Sequence, residues 1–164
     1  VIWALAGKLL ELSVNSRSYG FYSSYGNGLA IIEGQKANLA PSMTVGGGGT
    51  PTAEVLAWAA DKSESSDDVI VLITDGYPEA EYKGNRVDSQ TMINLMARSV
   101  TEAKNQKVPI FCIYYGHIRS SMQKIAMQKM FRGMLFESEN FNKVQKMLIK
   151  QLTSSIEKLN QAGS

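Results

Sequence analysis

The chain has 164 residues, 44% of them hydrophobic and 20% charged, which is enough to build one globular domain with a sizeable core. Its 17 basic and 15 acidic side chains give a net charge of +2, too small to attract nucleic acid through a basic surface. We therefore expect a single domain over residues 1–164 whose partners are proteins or neutral molecules.

The cysteine content and the first residues bear on where the protein works. The single cysteine, Cys112, lies in the apolar run Ile-Phe-Cys-Ile-Tyr and is predicted to be a small buried residue without a disulfide partner. Residues 1–7 are apolar, but they lack a basic leader and are much shorter than a membrane span. These features predict a cytoplasmic protein with no membrane anchor.

The first part of the chain predicts a helix followed by a hairpin. Residues 1–13 carry apolar side chains mostly at helical spacing, and the aromatic-rich residues 18–23 are typical of a strand. Tyr-Gly-Asn-Gly at 25–28 favours a tight turn, and the apolar residues 29–33 then form the second strand. We expect these two strands to pair antiparallel.

Helices and strands alternate after the hairpin. Pro51 suits the first turn of a helix. The buried stripe of that helix is predicted to consist of Val55, Leu56, Ala59 and Ala60. Residues 69–74 form a nearly continuous apolar run, typical of a central parallel strand covered on both faces, whereas the polar residues 79–88 predict a loop. A helix over 92–103 and an apolar strand at 110–115 follow.

The last part predicts a helix, a short strand and a long helix. Ser120 or Ser121 caps the first of these, whose apolar residues are Met122, Ile125, Ala126 and Met130. Residues 134–137 form the strand, and apolar residues at helical spacing over 141–159 form the final helix. The alternation predicts a doubly wound α/β fold, with a mostly parallel, Rossmann-like sheet and helices on both faces.

Two polar residues beside glycines are the candidate metal ligands. Thr50 follows the glycine tract at 46–49, and Asp75 follows the strand at 69–74 and precedes Gly76. Open α/β sheets place ligands at the carboxyl ends of their strands, and hard divalent cations prefer oxygen donors. Two alternatives stay open: Thr50 is only the N-cap of the next helix, and Asp75 is only a turn residue.

The element order, together with Thr50-Pro51-Thr52 and Thr74-Asp75-Gly76, resembles the von Willebrand factor A domain over nearly the whole chain. That family builds a metal-ion-dependent adhesion site from three loops: an Asp-x-Ser-x-Ser motif, a threonine before a helix, and an aspartate after a strand. The resemblance implies that Thr50 and Asp75 are the second and third elements. It also implies Mg²⁺ or Mn²⁺, with one coordination position completed by a carboxylate of a protein partner.

The first element of that family pattern does not occur ahead of Thr50, where the order of the family requires it; the one Asp-x-Ser-x-Ser string of this sequence, Asp61 to Ser65, comes after Thr50. In the family its loop follows the first strand, which lies in the middle of the sheet. We therefore expect this domain to be N-terminally incomplete, with the first central strand and the Asp-x-Ser-x-Ser loop upstream of Val1 or on a separate segment. The motif Gly-Gly-Thr-Pro-Thr and the later Ile-Thr-Asp-Gly-Tyr-Pro look most like bacterial and phage members akin to cobalt-chelatase and nitric-oxide-reductase-activation subunits.

The function expected from this resemblance is protein binding without catalysis. The alternatives are a subunit of an AAA+ ATPase or metal-chelatase complex, or a degenerate scaffold for oligomerisation. The glycine tract lacks the Lys-Ser or Lys-Thr of a phosphate-binding loop, and the lone His117, expected at the rim of the sheet, has no partner of metal-ligand spacing. The methionines clustered at 122, 127, 130, 134 and 147 either fill the core or form an adaptable partner groove.

Overall fold

The computed structural model of the chain describes residues 17–24, 28–34, 50–63, 68–132 and 134–162. The seven strands of this part are β1 Ser18–Ser24, β2 Gly28–Gly34, β3 Ile70–Thr74, β4 Glu81–Tyr82, β5 Asn85–Arg86, β6 Ile110–Tyr115 and β7 Leu135–Ser138. Its four helices are α1 Thr52–Lys62, α2 Ser89–Asn105, α3 Ser121–Phe131 and α4 Phe141–Ala162. The helix predicted over residues 1–13 and the glycine tract at 46–49 lie outside the described residues.

A three-stranded parallel sheet forms the centre of the described fold. Strand β6 lies in the middle and pairs in parallel with β3 on one side and with β7 on the other. The apolar runs of β3 and β6 suit strands that are covered on both faces. The predicted strands at 69–74, 110–115 and 134–137 are thus confirmed to within one residue, and so is the α/β class of the fold.

Helices cover both faces of this sheet, as the sequence predicts. On one face Leu72, Cys112 and Tyr114 join the main core formed with α1, α2 and α3. On the other face Ile113 packs with Val144 of α4 in a smaller cluster. Successive residues of β6 therefore pack into the two cores on opposite faces of the sheet, because side chains alternate along a strand.

Strands β1 and β2 form a separate antiparallel hairpin in register from Ser18↔Gly34 to Ser24↔Gly28, which confirms the predicted pairing. No ladder joins the hairpin to the parallel sheet in the described residues. It is attached through α1 instead: the ring of Tyr19 meets Trp58 edge-on at 4.9 Å between centroids. The Leu29 N–H also donates to Glu54 Oε2 at 3.2 Å.

The loop predicted over residues 79–88 is wrong in part, since it contains the small hairpin β4–β5. Its two turn residues, Lys83 and Gly84, both have positive φ, of 53° and 75°. Two-residue turns with positive φ at both positions match the twist of a hairpin. The Glu54 carboxylate accepts a hydrogen bond from the Lys83 N–H and so holds this turn beside α1.

The predicted role of the apolar residues of α3 also needs correction. Met122 and Ile125 are 81% and 65% exposed, so neither belongs to the core. The buried side of α3 consists instead of Met127, Met130 and Phe131. These three positions have the i, i+3, i+4 spacing of one helix face, and the helix turns that face toward α2 and the sheet.

Candidate metal centre

The loops that follow the parallel strands meet at one edge of the sheet. Because β3, β6 and β7 run in the same direction, the residues after Thr74, Tyr115 and Ser138 all lie at the carboxyl edge. Asp75 follows β3 there and is exposed to solvent.

The side chain of Thr74 fixes the turn that carries Asp75. Its hydroxyl accepts from the Gly76 N–H at 3.2 Å and donates to the Gly76 carbonyl oxygen at 3.1 Å. Thr74 itself is only 5% exposed. A buried hydroxyl that bonds the backbone two residues on holds a short turn in one shape. Asp75 therefore lies in a turn whose shape these two hydrogen bonds fix.

Thr50 lies against the same turn. Its Oγ1 atom is 3.2 Å from the position that a β-carbon on Gly76 would occupy, so this glycine allows the two loops to approach closely. The Thr50 carbonyl oxygen accepts from the Glu79 N–H at 3.1 Å, which ties the segment before α1 to the segment after β3. The structure thus brings the loops of Thr50 and Asp75 together.

The interpretation of Thr50 as a helix N-cap is wrong. Helix α1 begins at Thr52, its N-cap position is Pro51, and no side chain makes a capping hydrogen bond there. Thr52 is fully buried, and its hydroxyl donates to the Thr50 carbonyl oxygen at 3.3 Å. The Thr52 hydroxyl is therefore buried and bonded within the fold. The Thr50 hydroxyl, in contrast, faces the turn that carries Asp75.

A hydroxyl and a carboxylate at one rim are hard oxygen donors of the kind that Mg²⁺ and Mn²⁺ bind. Magnesium takes about six oxygen ligands in octahedral geometry, so Thr50 and Asp75 supply only part of a coordination shell. In the described parts of the chain, no three His, Cys, Asp or Glu side chains come together as a metal site. The pair thus fits a divalent cation only with further oxygen ligands.

Charges at the rim act on the buried Tyr114. Burial raises the pKa of the Tyr114 phenol, and the negative charges of Asp75 and Glu137 raise it further. Tyr114 pairs with Thr74 on one side and with Glu137 on the other, so it lies between the two carboxylates. Both carboxylates therefore act on this side chain from the carboxyl edge of the sheet.

A second polar cluster at this edge surrounds Glu137, which sequence reasoning missed. Its Oε1 atom accepts from the Ile118 N–H and lies near His117 Nδ1, both at 2.8 Å, and its Oε2 atom lies 2.8 Å from Lys124 Nζ. Glu137 is 12% exposed, whereas His117 is 61% exposed. His117 thus sits at the rim as predicted, with its ring packed against a carboxylate.

Beside this cluster lies an open cleft of about 410 Å³. Its walls are Gly116, His117, Lys124, Glu137, Ser138, Glu139, Asn140 and Lys143. The cleft includes neither Thr50 nor Asp75, so this cleft and the candidate metal ligands are different places on the same edge. The sequence signal for the cluster was slight: a glutamate that ends the short apolar run Met-Leu-Phe-Glu.

Comparisons with models of known families, with curated proteins and with solved structures found no match to this chain. The resemblance to the von Willebrand factor A domain therefore rests on the order of the elements and on Thr50 and Asp75. In the described residues, every helix is too short or too polar to cross a membrane.

Proposed function

We propose that this chain is a non-catalytic, metal-ion-dependent protein-binding module of the von Willebrand factor A type. Thr50 and Asp75 contribute ligands to one Mg²⁺ or Mn²⁺ ion. The observation that supports this most is the approach of Thr50 Oγ1 to Gly76, since it puts a hydroxyl beside the turn that carries the exposed Asp75. The von Willebrand factor A resemblance supplies the role of the ion.

The bound cation supplies a Lewis-acid contact that joins the module to a carboxylate of its partner. Asp75 contributes a negatively charged oxygen, and Thr50 contributes a neutral one. One carboxylate leaves a divalent cation with net positive charge, which favours a further anionic oxygen from outside. The other protein oxygens are those that the family takes from the Asp-x-Ser-x-Ser loop after its first strand, and no such motif precedes Thr50 in this sequence.

The test is broadening of amide NMR signals by added Mn²⁺. We expect the signals of residues 50–52 and 74–77 to broaden first, and Asp75→Ala to abolish this effect. Thr50→Val removes the hydroxyl at nearly constant shape and weakens the effect, whereas Thr50→Ser keeps it. Glu139→Ala removes another exposed carboxylate from the same edge and serves as the matched control. Equal broadening in wild type and Asp75→Ala would refute the assignment.

Gly76→Ala tests the same site by steric crowding, without removing a candidate ligand. The new β-carbon would lie 3.2 Å from Thr50 Oγ1, so the hydroxyl must move by a few tenths of an ångström. We expect weaker Mn²⁺ broadening in this variant with little change in the unfolding midpoint. Broadening as strong as in wild type would show that the position of Thr50 does not matter for the ion.

We also propose a cytoplasmic setting, in which an AAA+ ATPase is one candidate partner. Cys112 supports the setting, because the sole thiol of the sequence is 1% exposed and lies in the central strand. The AAA+ partner rests on the branch of the family that the glycine-threonine motif resembles.

A further inference from the structure

Helix α3 exposes the two most accessible large apolar side chains of the described residues. Met122 is 81% exposed and Ile125 is 65% exposed, while the next, Ile149 on α4, is 37% exposed. Isolated exposed apolar residues are ordinary, but a pair three positions apart on a helix forms one continuous surface. The core of α3 is already supplied by Met127, Met130 and Phe131, so the exposed pair is not needed for packing.

The same side of α3 carries positive charge. At about 100° per residue, Met122, Ile125 and Lys129 fall within about 60° of one another around the helix axis. Arg132 follows the helix directly, and both Lys129 and Arg132 are exposed. We call the surface formed by Met122, Ile125, Lys129 and Arg132 the Met122 face. It is apolar toward the start of the helix and basic toward its end.

No acidic residue balances this charge within the local sequence. Residues 116–132 contain four lysines and arginines and not one aspartate or glutamate. The Lys124 ammonium lies 2.8 Å from Glu137 Oε2, so its charge is already used. Lys129 lies about 140° around the helix axis from Lys124, away from Glu137, and Arg132 follows the end of the helix. The charges that the Met122 face itself carries are therefore positive and favour an acidic partner.

We propose that the Met122 face binds an acidic amphipathic helix of a protein partner. Apolar side chains of that helix lie on Met122 and Ile125, and its carboxylates meet Lys129 and Arg132. Recognition of an amphipathic helix by apolar anchors three or four residues apart is a common mode, and the flexible thioether of methionine adapts to such a surface. This inference is independent of the metal site, because none of its residues binds the ion.

The experiment selects peptides from a displayed library of random helical sequences on the folded chain in the presence of EDTA, which removes divalent cations. We expect enrichment of sequences that combine Leu, Ile, Phe or Met at helical spacing with Asp or Glu about one turn away. A selected peptide is then synthesised with a fluorescent label, and its affinity is measured by polarisation.

Variants decide whether the peptide occupies the Met122 face. Ile125→Glu should weaken its affinity about tenfold or more, because it puts a carboxylate where the apolar anchor lies. Ile149→Glu is the matched control on α4 and should leave the affinity unchanged. Lys129→Glu should weaken binding, and a peptide with lysine in place of its glutamates should restore it. Circular dichroism checks that each variant is folded.

Four outcomes would overturn the proposal. The first is a library that yields no acidic and apolar pattern, and the second is a peptide whose affinity Ile125→Glu leaves unchanged. The third is concentration-dependent dimerisation in sedimentation that Ile125→Glu abolishes, which would assign the face to a second copy of the chain. The fourth is stronger binding to phosphatidylserine vesicles than to any selected peptide, which would assign it to an anionic membrane surface.

Discussion

The Glu137 carboxylate depends on its neighbours for its charged state. Its burial alone would raise its pKa, but the hydrogen bonds from Lys124 and from the Ile118 N–H, with the charges of Lys124 and His117, outweigh this effect. The pKa of Glu137 is therefore below its ordinary value of 4.5. A carboxyl group that is more acidic in the folded state stabilises that state at neutral pH.

We predict that Glu137→Gln lowers the free energy of unfolding by about 1 kcal/mol at neutral pH, a modest value because Lys124 and His117 are partly exposed. The carboxylate's contribution is present above the unfolded pKa and is lost as the pH falls through the lowered folded pKa. The difference between wild type and variant should therefore shrink as the pH falls below 4.5, the ordinary pKa of the group. Urea unfolding across this pH range measures it.

Glu139→Gln is the control for this series, since Glu139 is exposed and two residues away. It should change the unfolding free energy little at any pH. A difference between wild type and Glu137→Gln that stays constant with pH would mean that the carboxylate's charge is not what stabilises the fold.

The candidate site was more accessible to sequence reasoning than the Glu137 cluster. Asp75 ends a long apolar run and Thr50 precedes a helix, so the order of elements alone puts both at the carboxyl edge. Glu137 bonds to Lys124 of α3 and to residues 117 and 118 of the loop before that helix, and nothing local in the sequence marks those partners. That Thr50 is not a helix cap also depends on packing, because a threonine before a proline suits either role.

At the level of elements, the Glu54 side chain of α1 is hydrogen-bonded to both hairpins, β1–β2 and β4–β5. Glu54 accepts from the Leu29 N–H of β2 and from the Lys83 N–H of the β4–β5 turn. The hairpin β1–β2 has no ladder to the parallel sheet in the described residues. This carboxylate, the contact between Tyr19 and Trp58, and the packing of Phe21, Leu29 and Ile31 against the main core attach it instead.

We predict that Glu54→Ala speeds amide hydrogen exchange in β1 and β2 and lowers the free energy of unfolding by about 1–2 kcal/mol, because two backbone donors lose their acceptor. Glu54→Gln keeps one acceptor oxygen and should have a smaller effect. Asp61→Ala, which removes an exposed carboxylate from the same helix, is the control. Unchanged exchange in β1 and β2 after Glu54→Ala would show that Glu54 does not stabilise this hairpin.

Two features of the fold could not be predicted from the sequence pattern: the β4–β5 hairpin and the buried face of α3. The β4–β5 hairpin has only two residues in each strand, too few for an apolar alternation to be visible. Helix α3 has methionine or isoleucine on opposite sides, so its sequence offers two apolar stripes, and only contact with α2 and the sheet selects Met127, Met130 and Phe131. The long apolar strands were predictable because burial on both faces leaves no polar position in them.

At the scale of the whole molecule, β3 lies at one edge of the described parallel sheet. The Ile70 N–H donates to the Pro109 carbonyl oxygen on the β6 side, at 3.0 Å. Because backbone groups alternate in direction along a strand, the N–H groups of Val71 and Ile73 point away from β6. In the described residues β3 has a strand partner on the β6 side only. The von Willebrand factor A resemblance expects the missing first strand on the opposite side.

We predict that the amides of Val71 and Ile73 exchange with solvent much faster than those of Leu72 and of β6, since they lack a ladder partner in the described residues. Hydrogen exchange followed by NMR measures each amide separately. Slow exchange at Val71 and Ile73, equal to that of Leu72, would contradict this and would indicate that another strand already covers the edge.

The burial of Cys112 has a practical consequence for studying this protein. Burial in the central strand raises the pKa of its thiol, and the thiolate is the form that reacts with labelling reagents. The native cysteine is therefore expected not to react with such reagents while the fold is intact. A cysteine introduced at the exposed Ser121, beside Met122, would be the one accessible thiol of the known sequence. The wild-type chain is thus suited to attaching a single fluorophore or spin label without first removing its own cysteine.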